Sequence, residues 1–310
     1  RTPPEFRDIS NSIKQRRQFD KPLVKDAREG VGEVFLTIAQ ILNAEKSDEN
    51  TLVFARVAEF LLKDSPEPTL LCANILSKFE QYELAAQTYK KIPVDSVFYQ
   101  TAEIGRAEAF SQVGRKKDAI NVLRKLTLER PNSALAFQEL GNELRYFERH
   151  QEAVRAYTKA LNINRDQKSK NWILHYSRGM SLERLDDWEN AEADFRAALK
   201  LQPNQPYVLN YLGYSLVEKK MKLDEALDMI ELAVSLRSDS GYIVDSLGWV
   251  LFRLKRYDEA VLQLERATEL MPIDPIINDH LGYLCCSGLL DTDRKSQSCS
   301  TKTRTVFLPG

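Results

Sequence analysis

Apolar positions along this chain fall at i, i+3, i+4 and i+7 in short runs, broken by polar or proline-containing segments. That spacing predicts amphipathic helices, each with one apolar stripe. The stripes carry a longer rhythm. Leu-Gly-aromatic recurs in "LGYSLV" (212–217), "LGWVLF" (247–252) and "LGYLCC" (281–286). Aligning the chain on itself at this spacing gives blocks that begin near residues 32, 66, 100, 134, 172, 206 and 241, with a partial eighth at 275. The blocks are 34 residues long, apart from an interruption at 168–171 and one extra residue in "KKMKLDEA" (219–226). A fixed period of this length is the mark of a repeat array, so a length of 310 residues does not translate into two globular domains.

Small residues hold fixed places in each block. The eighth place is Ala39, Ala73, Ala107, Gly141, Gly179, Gly213, Gly248 and Gly282 in turn. A second set, Ala85, Ala119, Ala153, Ala191, Ala226 and Ala260, follows twelve or thirteen residues later. A third comprises Ala160, Ala198, Ala233 and Ala267, after which Pro131, Pro203 and Pro272 close their blocks. Each block therefore predicts two helices that pack closely at small residues. Helix axes approach to ~8–10 Å according to the side chains between them. Glycine inside a helix costs about 1 kcal/mol relative to alanine, so its recurrence implies contacts that a larger residue would forbid. Leu212, Leu216 and Ile230, or Leu247, Leu251 and Leu264, are the large partners. Asp118 and Asp258 stand where a second helix should begin and suit its exposed N–H groups.

"DSLGWVLFRLKRYDEAVLQLERATELMP" (245–272) resembles the tetratricopeptide repeat through Leu247, Gly248, Tyr257, Ala260, Ala267 and Pro272. "RGMSLERLDDWENAEADFRAALKLQP" (178–203) resembles it through Gly179, Ala191, Phe195, Ala198 and Pro203. The resemblance covers 66–274, and extends to 32–65 although Thr51 replaces the expected alanine there. Residues 209–260 also look like the C-terminal pair of repeats in long bacterial cell-envelope members. It implies an all-α, right-handed superhelical solenoid of about seven helix-turn-helix repeats plus a partial eighth, spanning 32–286.

The resemblance further implies that places 2, 5, 9, 12 and 13 of each block line a concave groove. On this chain those places give Gln138, Asn142, Arg145 and Tyr146, then Tyr176, Met180 and Arg184. Later blocks give Tyr207, Asn210 and Tyr214, then Tyr242, Asp245, Trp249, Phe252 and Arg253, with Tyr211 beside them. Asp279 and Tyr283 come from the partial block. Tyr and Trp offer large rigid contact area with a polar tip. Asn142 and Asn210 suit donation to a peptide backbone, and Arg145, Arg184 and Arg253 suit carboxylates. The expected ligand is an extended or helical segment with apolar and acidic side chains. The competing reading is that each aromatic completes packing between repeats.

Composition narrows the function classes without naming one. Hydrophobic residues make up 43% and charged residues 29%, with a net charge of −1. Residues 1–31 carry +3 and 286–310 carry +2, which leaves the body near −6 and mildly acidic. Neither nucleic acid nor a membrane surface is favoured as partner, and no apolar run approaches the ~18 residues of a membrane span. His150, His175 and His280 are isolated in sequence, and His175 occupies a packing place. There is no phosphate-binding glycine loop, H-E-x-x-H or serine elbow. Asp186-Asp187 and Asp258-Glu259 fall at helix starts, where capping accounts for them. Cys72, Cys285, Cys286 and Cys299 form no C-x-x-C pair. No catalytic residue, metal site or cofactor is expected.

Residues 1–31, including "KQRRQFDK" (14–21), are expected to be a basic linker or the end of a preceding segment. After residue 286 the periodicity stops, and Arg294 and Thr301 stand where alanines belong. An irregular tail over 287–310 is expected, arising from a changed frame or chain end near residue 284. The sequence supports a non-enzymatic scaffold that binds a protein or peptide segment, as an adaptor in a bacterial multi-protein assembly. The bacterial cell envelope is the favoured compartment, with an anchor lost ahead of Arg1. The alternative is a substrate-recruiting part of an enzyme whose catalytic domain lies upstream. Self-association through the last repeat is a further expectation.

Overall fold

A computed structural model describes residues 24–45, 49–165 and 171–287. Within these, fifteen helices follow one another and no strand occurs: α1 (Ala27–Glu45), α2 (Glu49–Leu61), α3 (Pro66–Lys78), α4 (Tyr82–Tyr89), α5 (Tyr99–Gln112), α6 (Lys116–Glu129), α7 (Ala134–Tyr146), α8 (His150–Ile163), α9 (Trp172–Glu183), α10 (Trp188–Leu201), α11 (Pro206–Glu218), α12 (Leu223–Leu236), α13 (Gly241–Arg253), α14 (Tyr257–Leu270) and α15 (Pro275–Cys286). From α3 onward every first helix of a repeat starts within one residue of its expected origin. The exception is α1, which begins five residues before the origin near 32. Asp26 accepts a hydrogen bond from the Glu29 backbone N–H at 2.8 Å and starts the helix there, so 27–31 join the array instead of the linker. The expected basic run at 14–21, the interruption at 168–170 and the tail at 288–310 lie outside the described residues.

The chain divides into two compact units, Arg1–Glu143 and Leu144–Gly310. In the first, successive helices from α1 to α6 pack pairwise. Leu36, Ala39, Ala55, Ala58, Leu71, Cys72 and Ile75 form one buried cluster. Ala73, Leu76, Ala85, Ala86, Tyr89 and Ala102 form the next. Thr51 is fully buried and takes the place of the expected alanine without opening the pair.

In the second unit one core runs from Leu182 and Phe195 through Leu212, Leu216, Ile230, Leu247 and Leu264 to Leu281. Its small residues do what the spacing requires. A Cβ on Gly179 would sit 2.7 Å from the Phe195 ring, and one on Gly248 would sit 2.7 Å from both Cγ and Cδ2 of Leu264. Gly282 departs from the rule, because a Cβ there meets nothing within 4 Å. Asp194 is buried between α9 and α10. Arg178 reaches it from Nε at 2.6 Å and Nη2 at 2.8 Å, and His175 Nδ1 lies 2.7 Å away. Burial pushes the Asp194 carboxyl upward, but the bonds from Arg178 and His175 outweigh it and hold the pKa below the usual range. His175 is thus a structural residue, as its packing place implied.

From the second repeat through the seventh, the two helices are joined by one recurrent turn. Backbone N–H groups of Gln81, Arg115, Arg149, Asp187, Met221 and Arg256 bond to the carbonyl five residues back, at 2.7–3.0 Å. The residue before each has positive φ: Glu80, Gly114, Glu148, Asp186, Lys220 and Lys255. This is the Schellman closure of a helix, for which glycine is the usual residue. Only Gly114 is one. The second helices start without side-chain caps at Arg115, Arg149, Asp187 and Arg256. Asp118 therefore does not cap but binds Arg115 at 2.7 Å, and Asp258 lies within the first turn of α14. The Asp187 carboxylate takes the Asn190 amide, at 2.9 and 3.0 Å, instead of a backbone N–H. Side-chain caps stand at some first helices: Gln205 accepts from the Tyr207 N–H ahead of α11, and Asp274 from the N–H groups of Ile276 and Ile277 ahead of α15. Pro66, Pro206 and Pro275 begin their helices, a position where the missing N–H costs nothing.

Candidate binding cavity

In the second unit the first helices α9, α11, α13 and α15 converge on one concavity of about 610 Å³. Of the sequence-predicted groove residues, Arg184, Asn210, Tyr211, Tyr214, Tyr242 and Asp245 line it. Glu183, Glu218 and His280 also line it and were absent from the prediction. Each sits where a neighbouring repeat brings it into reach. His280 Nδ1 lies 2.9 Å from Asp245 Oδ2, 35 residues away, and its ring stacks on Trp249 at 4.4 Å and 19°. His280 is therefore not isolated. Glu218 Oε1 accepts from Trp249 Nε1 at 2.9 Å and from Arg253 Nη1 at 3.2 Å.

Of the expected arginine clamp, Arg253 lies 3.2 Å from Glu218 and forms an ion pair with it. Trp249 packs on Phe252 at 5.2 Å, with Tyr283 edge-on at 6.2 Å. The predicted ribs thus divide: Trp249, Phe252 and Tyr283 form one joint between repeats, while Tyr214 stands in the cavity. Tyr176 and Met180 lean on the core, with the Tyr176 ring 6.1 Å from Phe195 and 5.8 Å from Tyr211. Tyr207 is engaged by Arg237, whose Nη1 donates to its hydroxyl at 3.2 Å. Arg145 belongs to the second unit, and its Nε is buried without a partner. Gln138 and Asn142 lie in the first unit and both bond to Glu139 on their own helix, at 3.3 and 3.0 Å.

The electrostatics of the cavity are set by partial burial and carboxylates. Burial and then a hydrogen bond to Glu183 push the Tyr211 hydroxyl above its ordinary range. Burial followed by the charges of Glu218 and Asp245 does the same to Tyr214. Burial raises Tyr176 to about 12. All three remain neutral donors at physiological pH. Asn210 Oδ1 is buried and has no hydrogen-bond partner, an unusual condition for a buried amide oxygen. Among the described residues no group of His, Cys, Asp or Glu could hold a metal ion, and no helix is long and apolar enough to cross a membrane.

Family models for the tetratricopeptide repeat match residues 138–206, 176–243 and 245–274. A TPR repeat-containing protein of Pseudomonas aeruginosa is 27% identical over 189 residues, covering 58% of this chain and 30% of that protein. A lipoprotein NlpI homolog of Haemophilus influenzae is 36% identical over 98 residues, 31% of this chain and 30% of that protein. The chain thus spans about a third of the length of these relatives. A tetratricopeptide repeat protein structure from Parabacteroides merdae covers 82% of this chain and is itself covered to 99%, with a TM-score of 0.60 at 14% identity. The C-terminal part of a TPR repeat-containing protein from Cytophaga hutchinsonii covers 79%, is itself covered to 99%, and has a TM-score of 0.57 at 14% identity. With helix pairs at the period of the repeat, small residues at its contact points and family models matching 138–206, 176–243 and 245–274, the chain is an all-α protein that carries tetratricopeptide repeats.

Proposed function

We propose that the second unit captures a segment of a partner protein in the α9–α11–α13–α15 cavity, and that the protein is a non-enzymatic scaffold for a multi-protein assembly. The observation that carries this reading is the convergence of three tyrosines and an unpartnered buried amide oxygen on one 610 Å³ concavity. Tetratricopeptide repeats are a protein-interaction fold, and the cavity has the mixed apolar and polar lining that segment recognition uses. Tyr242 is 56% exposed, so its ring is open to contact. The resemblance to a bacterial lipoprotein homolog favours an adaptor at the cell envelope.

Affinity capture with the full chain, run beside a Tyr214→Ala/Tyr242→Ala variant, tests the reading. The expected result is one partner retained by the wild type and lost by the variant, with helical content unchanged by circular dichroism. Equal retention by both proteins would place these tyrosines among the packing residues.

A further inference from the structure

The same cavity has a lopsided supply of hydrogen-bonding groups, and that imbalance specifies what should fill it. Four carboxylates line it, those of Glu183, Asp186, Glu218 and Asp245, against two cations. Glu218 is met by Arg253 and Asp245 by His280, which leaves Glu183 and Asp186 without an ion pair among the described residues. Lys219 Nζ lies over the Trp188 ring, 4.9 Å from its centroid, and Arg184 is an exposed residue at the end of α9. The hydroxyl donors are largely committed as well: Tyr211 to Glu183, Tyr242 to Asp274, and Ser246 to the Tyr242 carbonyl at 2.9 Å. Acceptors are in surplus. Asn210 Oδ1 is buried with no donor. Trp249 and Arg253 both bond to Oε1 of Glu218, so Oε2 of the same carboxylate is left for another donor.

Building on the reading of this cavity as a segment-binding site, we infer that its occupant is a partner segment presenting a lysine or arginine side chain. A basic side chain supplies only donors, three on an ammonium and five on a guanidinium, which complements the acceptors the wall offers. The faces of Tyr211, Tyr214 and Tyr242 suit a cation by their quadrupole, and their apolar edges suit the methylene stem. Charge-assisted bonds to carboxylates in a partly desolvated site are the stronger class. A metal ion is the poorer fit, because among the described residues no three His, Cys, Asp or Glu side chains are grouped to hold one. The inference reverses the acidic ligand expected from the arginines at places 12 and 13, because Arg253 already has its carboxylate in Glu218.

The test is selection from a displayed library of random dodecamer peptides on the immobilised full chain. Parallel selections use Glu183→Gln/Glu218→Gln and Tyr214→Ala/Tyr242→Ala variants. The expected result is enrichment of peptides with Lys or Arg beside apolar residues. Their affinity should fall about tenfold or more in the carboxamide variant, and by a similar factor when the peptide's own basic residue becomes alanine. The peptide substitution keeps the test independent of any folding defect in the protein variant. Peptides rich in Asp or Glu, or peptides indifferent to loss of their basic residue, that still require Tyr214 and Tyr242 would overturn the inference and leave segment binding standing. Peptides that bind the tyrosine variant as well as the wild type would overturn the cavity as the binding site, and this inference with it.

Discussion

Substituting alanine for single helical glycines separates two effects of a small residue in this fold. In a helix interior the change is worth about 1 kcal/mol in alanine's favour, so any loss must come from the new methyl group's surroundings. At Gly248 the Cβ would lie 2.7 Å from Cγ and Cδ2 of Leu264 and 3.1 Å from its backbone nitrogen. Leu264 is fully buried and cannot swing outward, so the helices must part. Overpacking of this kind costs about 1–3 kcal/mol, enough to reverse the propensity gain and leave a net loss of about 1 kcal/mol. Gly213 is as tight, with the Ala226 carbonyl oxygen at 2.9 Å and Ile230 at 2.7 Å. At Gly282 there is no neighbour within 4 Å, so only the gain remains, about 1 kcal/mol. Thermal melts by circular dichroism, with hydrogen exchange resolved over α13–α15, would show Gly248→Ala and Gly213→Ala less protected and Gly282→Ala more protected than the wild type. A shift of the same sign at Gly248 and Gly282 would refute the packing account of the repeated glycine.

Two other outcomes follow from charges and backbone. Arg178→Gln strips the strongest partner from buried Asp194 and should destabilise the second unit by about 3 kcal/mol. Because the Asp194 pKa is lowered in the folded state, its stabilising contribution is fully present above the ordinary carboxylate pKa near ~4. It is lost as pH falls through the depressed value, so urea melts of wild type and variant should converge in acid. A gap that stays constant down to the lowest pH would show that Arg178 acts through packing alone. Glu80→Gly, Glu148→Gly and Lys255→Gly relieve positive-φ residues at exposed turns. Each should raise stability by about 0.5–1 kcal/mol in a denaturant melt, and a loss at all three would mean the side chains serve the turn.

The period carried most of the fold. Gly213 and Gly248 announce helix contacts, and Pro131, Pro203 and Pro272 mark helix ends, because both effects act on the residue that shows them. The turns were not legible: Glu80, Asp186 and Lys255 take a left-handed conformation that their side chains do not favour, and the helix ends on either side impose it. The cavity was read in part, since Tyr211, Tyr214, Tyr242 and Asn210 recur at fixed places. Glu218 and His280 escaped because their roles arise between repeats. Trp249–Glu218, Arg253–Glu218 and His280–Asp245 are complementary pairs separated by 31 to 35 residues. Scanning for donors and acceptors about one period apart would have found them, and would have shown that Arg253 already has a partner.

The left-handed turns have a consequence for how the array unfolds. Stability in a repeat protein separates into what each repeat contributes alone and what each junction contributes. Glu80, Glu148, Asp186, Lys220 and Lys255 burden the first quantity and leave the second untouched, since the turns lie between the two helices of one repeat. Single repeats are thereby kept weak relative to their junctions, the condition under which neighbours melt together. Placing glycine at successive turns would strengthen repeats individually and loosen that coupling, turning one cooperative transition toward a series of local ones. The residue type at the turn is thus a setting for cooperativity.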